Sequence, residues 1–233
     1  MLNLIISIIL ICILIILKLI FKINFKQLKK FEKNENLDKI ANKFPENIEI
    51  CKTILKKLKN EKVIIEEDKE SNTSLYIAVS NKIIIANLKN SYARIQTIAH
   101  ECVHSIQNRK ILLFNFIFSN MYLIYYGVSI ILSILGVFKN SLLQITILLI
   151  LSFIYYMVRS YLETDAMIKA EFIAKEYIAE SKICNKEEKE ELMNQYSKIN
   201  KVGIIAYNYI LFTNCIIKVI VYGMAAFVLF LIR

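Results

Sequence analysis

Between residues 111 and 158 the chain carries a single charged side chain, Lys139. So long an apolar run is far beyond what a soluble domain of 233 residues buries in its core, and it belongs in lipid. A lipid-exposed backbone must satisfy its peptide groups within its own segment, so these residues are restricted to helix. Residues 111–138 form a 28-residue uncharged stretch, roughly 42 Å as a helix and longer than a bilayer core, so it is expected to tilt or project. Lys139-Asn140 is the expected break, residues 141–158 are just long enough to cross, and Arg159 closes the hairpin. Two further runs have the same character. Residues 4–17 are almost unbroken Ile and Leu, extended past Lys18 by Leu19, Ile20 and Phe21, and residues 202–233 are apolar apart from Lys218 and the terminal Arg233.

With 56% hydrophobic residues, a mean hydropathy of +0.47, four Gly and one Pro, the chain reads as a mainly α-helical membrane protein with about four transmembrane helices. The net charge of +10 does not point to nucleic acid, because the lysines cluster beside the spans and no stretch interleaves basic residues with stacking aromatics. Anionic lipid head groups are the expected counter-charge. Ile, Lys and Asn are all abundant, a coding bias that also raises Lys. The five cysteines (Cys12, Cys51, Cys102, Cys184 and Cys215) are odd in number, and two fall in apolar spans, so no disulfide framework is expected and a reducing compartment fits best.

No basic residue precedes the first run and no small-residue cleavage site follows it, so residues 1–22 are expected to be an uncleaved anchor. Six lysines between Lys18 and Lys33, against Glu32 alone, put the far side of this span in the cytoplasm by the positive-inside rule. The expected organisation is a cytoplasmic region at 23–110, a transmembrane hairpin at 111–158, a charged helical region at 159–201 interrupted around 184–186, and a last span at 202–233. The hairpin crosses twice, so 23–110 and 159–201 share a compartment.

Within the first of these regions, Ile50, Ile54, Leu55 and Leu58 suit one face of an amphipathic helix. Residues 63–65, 75–79 and 82–86 are β-prone, and Ser80-Asn81 is the expected hairpin turn. The resulting small sheet is read as structural support, or as an edge that pairs an extended peptide. Asn90 or Ser91 is the expected cap of the next helix, whose apolar positions Ile95, Ile98, Ala99, Cys102, Val103 and Ile106 recur at helical steps. It is expected to end near Asn108, with Arg109-Lys110 at its C-terminus.

That helix contains His100-Glu101-Cys102-Val103-His104, which includes both histidines of the chain. Imidazoles four residues apart share a face and can converge on one zinc ion, while Glu101 is placed to take a proton from a water on the metal. A hydrolytic zinc site takes three protein ligands, and no third histidine exists, so a carboxylate from the same compartment is needed. Residues 159–176 offer Glu163, Asp165, Glu171 and Glu176. Glu163 is best placed, since it follows one span as the pentad precedes another and has small neighbours in Ala166 and Ala170. An ion pair with Arg159 is its alternative role, and Asp165, nearly opposite on the helix, suits a supporting or solvated position. Gln107, one turn past His104, is within reach of the site or simply a polar helix end; Tyr207 and Tyr209 are equally compatible with oxyanion contacts and with interfacial placement.

Taken together, Thr97-Ile98-Ala99-His100-Glu101-Cys102-Val103-His104-Ser105-Ile106-Gln107, the hydrophobic hairpin, and Leu162-Glu163-Thr164-Asp165-Ala166 resemble the neutral zinc metallopeptidases of bacterial membranes, which are related in pattern to the gluzincins. The resemblance covers most of the chain. It implies a small α+β zinc-peptidase-like region on the cytoplasmic side of a multi-pass protein of the bacterial cell membrane, with Zn2+ bound by His100, His104 and Glu163. It further implies that Glu101 is the general base of peptide-bond hydrolysis and that the substrates are membrane-associated proteins or peptides. The chain departs from the family at Val103, where Gly is usual, at Met167, where broader relatives carry Asp, and around Tyr76, where a His-containing stretch is usual. A non-catalytic homologue with a structural zinc site is the alternative expectation. Metal transport is a weaker third, because polar groups within the spans are sparse apart from Lys218.

Overall fold

The computed structural model describes residues 2–23, 34–88, 91–138 and 140–232, which comprise seven helices and three strands. Asn90, Lys139 and the lysines Lys26, Lys29, Lys30 and Lys33, on which expectations above rest in part, lie outside the described residues. The helices are α1 (Leu2–Ile20), α2 (Glu35–Ala41), α3 (Asn47–Lys57), α4 (Arg94–Ile106), α5 (Arg109–Ile134), α6 (Ser141–Glu180) and α7 (Lys186–Ile232). The strands are β1 (Ile64–Asp68), β2 (Leu75–Ile77) and β3 (Lys82–Ala86). Four helices, α1, α5, α6 and α7, are long and apolar enough to cross a membrane. The chain divides into two compact units: Met1–Ile23, Phe114–Tyr161 and Ile205–Arg233 form the first, Asn24–Leu113 and Leu162–Ile204 the second.

In the first unit, parts of the four long helices pack around Leu10, Tyr122, Ile145, Leu148, Ile216, Val219 and Tyr222. Large apolar side chains such as Leu123, Ile131, Ile150 and Phe153 point outward, the pattern of helices solvated by lipid. Polar groups inside the bundle bond across helices: Asn3 Nδ2 donates to Ser141 Oγ (2.9 Å), Tyr125 Oη donates to Gln144 Oε1 (2.6 Å), and the Tyr122 and Ser152 hydroxyls meet at 2.6 Å. The break in the hairpin falls earlier than the Lys139-Asn140 position expected. The helix ends at Ile134, and Gly136 adopts a positive φ of 73°. The Gly136 N–H then bonds Ser133 O (2.9 Å) and the Val137 N–H bonds Leu132 O (3.0 Å), a Schellman stop that overrides the continuing apolar run. The units change within α6 at Tyr161/Leu162 and within α7 at Ile204/Ile205, each within three residues of an expected boundary, but the helix runs through both points. No Gly or Pro interrupts residues 141–180, so the second span and the charged helix after it form one helix, and the last span is likewise continuous with residues from Lys186 onward.

The second unit has its own core, drawn from α2, α3, the sheet, α4, and residues of α6 and α7. The short helix α2, unanticipated because its sequence is polar, is capped by Asn34, whose Oδ1 accepts the Leu37 N–H at 3.2 Å. It buries Leu37, Ile40 and Ala41. In α3 the expected face is buried through Ile50, Cys51, Ile54 and Leu55. The sheet has the order β1-β3-β2, with β2 and β3 antiparallel and β1 parallel to β3. The hairpin loop is longer than the two residues expected: β2 stops at Ile77, and Asn81 at φ 52° makes the turn. Asn81 holds it by donating to Lys62 O (3.2 Å) and accepting the Tyr76 hydroxyl (2.9 Å). The central strand β3 buries Ile83, Ile85 and Ala86.

Candidate metal centre

The helix carrying the histidines, α4, is fastened at both ends by tertiary bonds. Ser91 does not cap it; Ala93 occupies that position and offers no side-chain acceptor. Instead the Tyr92 N–H donates to Asp38 Oδ1 (2.8 Å), and Tyr92 O accepts the buried Tyr196 hydroxyl (2.6 Å). Arg94, only 2% exposed, reaches back to the preceding turn, donating from Nη2 to Ala41 O (2.9 Å) and Phe44 O (2.7 Å) and from Nη1 to Asn47 Oδ1 (2.9 Å). At the other end Asn60 Nδ2 donates to Ser105 O and Oγ, both at 3.0 Å. Helix α4 stops at Ile106, and Asn108 starts the next one by accepting the Lys110 N–H at 2.9 Å. Arg109 and Lys110 therefore open α5 rather than close α4.

With its ends fixed, α4 turns Ile95, Ile98, Ala99 and Cys102 into the core. Cys102 Sγ lies 3.6 Å from Cys51 Sγ there, on a different side of the helix from the histidines. His100 and His104, one turn apart, bring their Nε2 atoms to 3.1 Å of each other. Glu163 on α6 completes the group, its Oε2 3.3 Å from His100 Nε2 and 3.8 Å from His104 Nε2. Ala166 and Ala170, fully buried on the same helix, leave the space for this approach. Four zinc ligands in a tetrahedron at ~2.1 Å lie about 3.4 Å from one another, so the three observed separations fit three corners of such a site.

The tautomer of His104 follows from its neighbours. Gln107 Nε2 has two acceptors, Leu162 O (2.8 Å) and Asp165 Oδ2 (2.9 Å), which orient the amide so that Oε1 faces His104 Nδ1 at 2.8 Å. Nδ1 must then carry the hydrogen, and Nε2 presents a lone pair to His100 and Glu163. Two imidazole nitrogens and a carboxylate oxygen thus converge, and a positive charge, either a proton or a metal ion, belongs between them. Burial pulls His104 toward lower pKa, but Glu163, Glu101 and the Gln107 bond outweigh it and leave the net shift upward. A donor set of two neutral imidazoles and a carboxylate, with the second ring nitrogen fixed by a carboxylate-linked amide, suits a divalent ion such as zinc. Among the described residues, His100, His104 and Glu163 form a group able to hold a metal ion.

Glu101 does not join the three. It is 6% exposed, and burial raises its pKa above the ordinary 4.5, opposed by the two histidines. The Tyr76 backbone on β2 also favours its charged form, more weakly than the histidines do. The other acids considered as third ligand are engaged elsewhere. Asp165 pairs with Lys169 (2.7 Å) and with Gln107; Glu171 binds Lys175 (2.6 Å), Ser197 (2.8 Å) and Asn200 (2.8 Å); Glu176 lies 3.8 Å from Lys57. Val103 is completely buried, and Met167 lies over Gly203, where an added methyl group would meet its Cε at 3.2 Å. In the first unit, Tyr207 Oη lies 3.3 Å from Arg159 Nε, and Tyr209 donates to Leu14 O at 3.3 Å.

The bridge from His104 through Gln107 to Asp165 is the part that sequence reasoning left open. Its signal was the spacing of Gln107 one turn beyond His104 and the Glu-x-Asp pattern on α6. Comparison of the chain with family models, with curated proteins and with solved structures returns no match.

Proposed function

We propose that this membrane protein is a zinc-dependent endopeptidase. The observation that carries the proposal is the convergence of His100 Nε2, His104 Nε2 and Glu163 Oε2 next to a buried, uncoordinated Glu101. A two-histidine, one-carboxylate set leaves a coordination position open, and the motif's resemblance to the neutral zinc metallopeptidases supplies the reaction class. Zinc, when bound, supplies Lewis acidity toward the scissile carbonyl and toward water.

The remaining roles belong to the chain. Gln107 and Asp165 keep His104 in the tautomer that presents Nε2. Glu101, whose burial makes it a stronger base than an exposed carboxylate, takes a proton from the attacking water and returns it to the leaving amine. The lysines after the first span favour a cytoplasmic position for this machinery, so membrane-associated proteins or peptides are the proposed substrates. A second reading, in which the metal only clamps α4 to α6, is favoured by the Gln107 bridge between those helices.

The test compares Glu101→Gln with wild-type protein in cells by profiling new N-termini among membrane proteins. Glu101→Gln is expected to retain metal and abolish the wild-type cleavages. If it cleaves as well as wild type, the mechanism is wrong. If no cleavage depends on the wild-type protein and His104→Ala simply lowers the melting temperature, the clamp reading holds.

A further inference from the structure

The first unit carries a cation, Lys218, that no carboxylate among the described residues pairs with. Lys218 is the only charged residue between residues 202 and 232, and no Asp or Glu occurs in residues 2–23, 111–158 or 202–232. Its depth follows from its neighbours. Tyr207, near Arg159, lies about 16 Å before it along α7, and Gly223, packed against Ser7 and Asn3, about 8 Å after it. A helical side chain leans toward the N-terminus of its helix, so the ammonium is carried further from the Gly223 end. There it sits 5.4 Å from the Tyr122 ring centroid, and the Tyr122 hydroxyl is bonded to Ser152 in the middle of α6's apolar half. A cation over an aromatic face is only partly compensated, and an ionised group at this depth is costly without a counter-charge.

The surface beside Lys218 is unfilled. Ile210, Asn214, Ile217, Val221, Met224 and Val228 are all exposed and recur at alternating steps of four and three, the seam of a helix that packs against another helix. Asn214, one turn from Lys218, is exposed on this face and has no hydrogen-bonding partner among the described residues. An apolar seam alone is what any lipid-facing helix shows; a seam interrupted by an exposed amide with a cation at its border is not.

We propose that this face of α7 docks a transmembrane helix of another protein bearing an acidic residue near the middle of its span. Charge selects the occupant. A second copy of this chain would bring Lys218 against Lys218 with no acid in any span to separate them, and lipid phosphates lie at the head-group level rather than at the depth of Tyr122 and Ser152. The partner's carboxylate pairs with Lys218, and Asn214 supplies a hydrogen bond to the same turn of the partner helix. The proposal is independent of the metal chemistry of the second unit.

The experiment uses the full chain, fluorescently labelled and reconstituted in phosphatidylcholine vesicles, with a Leu-rich transmembrane peptide carrying one central Asp as the probe and its all-Leu counterpart as control. Energy transfer should show the Asp peptide associating roughly tenfold more tightly than the control. Lys218→Leu should abolish that preference, and Asn214→Leu should reduce it, while helical circular dichroism and metal content stay as in wild type. Lys218→Leu removes a costly charge, so folding is not put at risk. Equal association of the two peptides, an Asp preference that survives Lys218→Leu, displacement of the peptide by phosphatidylglycerol in the vesicles, or wild-type self-association that excludes the peptide would each overturn the proposal.

Discussion

Replacing Gln107 by Leu removes three hydrogen bonds, and their consequences are unequal. The Leu162 carbonyl lies inside α6 and keeps its helical bond, and Asp165 keeps Lys169 at 2.7 Å. The loss therefore falls on His104, whose Nδ1 hydrogen no longer meets an acceptor at 2.8 Å. Freed of it, the ring can rotate or adopt the other tautomer, which turns a hydrogen rather than a lone pair toward Glu163. Supporting hydrogen bonds of this kind are worth 10- to 100-fold in metal affinity, so zinc binding to Gln107→Leu should weaken by about 1.4 to 2.7 kcal/mol. The assay is competition against a chromophoric chelator in detergent, with the melting temperature as a control for folding. Gln107→Glu refines the test. It still offers an oxygen to His104 Nδ1 but cannot donate to Leu162 O and faces Asp165, so it should retain more zinc affinity than the Leu variant while melting lower than wild type. Wild-type zinc affinity in a folded Gln107→Leu protein would refute the account of the His104 tautomer.

Three further outcomes are expected. Arg94→Met should leave the Phe44 carbonyl and Asn47 Oδ1 without their donor, while Ala41 O keeps only the Phe44 N–H, and destabilise the second unit by ~3 kcal/mol or more, read as a loss of melting temperature; a change below ~1 kcal/mol would contradict the role given to the guanidinium. Gly136→Ala should cost about 1 kcal/mol because its φ of 73° is strained for a residue with a Cβ, and unaltered stability would mean that the turn readily changes form. In chelator-treated protein Glu101→Gln should raise the melting temperature. Burial lifts the Glu101 pKa in the folded state, so its contribution to stability is full below the ordinary 4.5 and is lost as pH rises through the raised value. The advantage of Gln must therefore grow from about pH 4 toward neutrality, and an advantage independent of pH would show that Glu101 is not a buried carboxylate.

Local pattern was sufficient where one segment carried its own signal. The uninterrupted apolar runs marked the four long helices, the spacing of Ile50, Ile54 and Leu55 marked α3, and the alternating steps from Ile95 to Cys102 placed the histidines on a helix. What the sequence concealed depended on partners distant along the chain. Nothing near residue 64 indicates that β1 joins β3 in parallel with the hairpin partner on the far side, because that register is set by burying Ile83 and Ile85. Arg94 reads as an ordinary basic residue at a helix start, and its buried role exists only because the end of α2 and the turn after it present carbonyls to it. The stop at Gly136 was missed, because the apolar run continues past it to Phe138 and drew the expected boundary to Lys139-Asn140. Glu163 was reached through topology, whereas the Gln107 bridge required knowing how α4 and α6 face each other within the second unit.

The most direct test is the metal content of the full-length protein purified gently and without chelators, alongside His104→Ala and Glu163→Ala. The account predicts about one zinc ion per chain in wild type and its loss in both variants, with helical content unchanged. Wild-type protein free of metal, or zinc retained undiminished in Glu163→Ala, would contradict it.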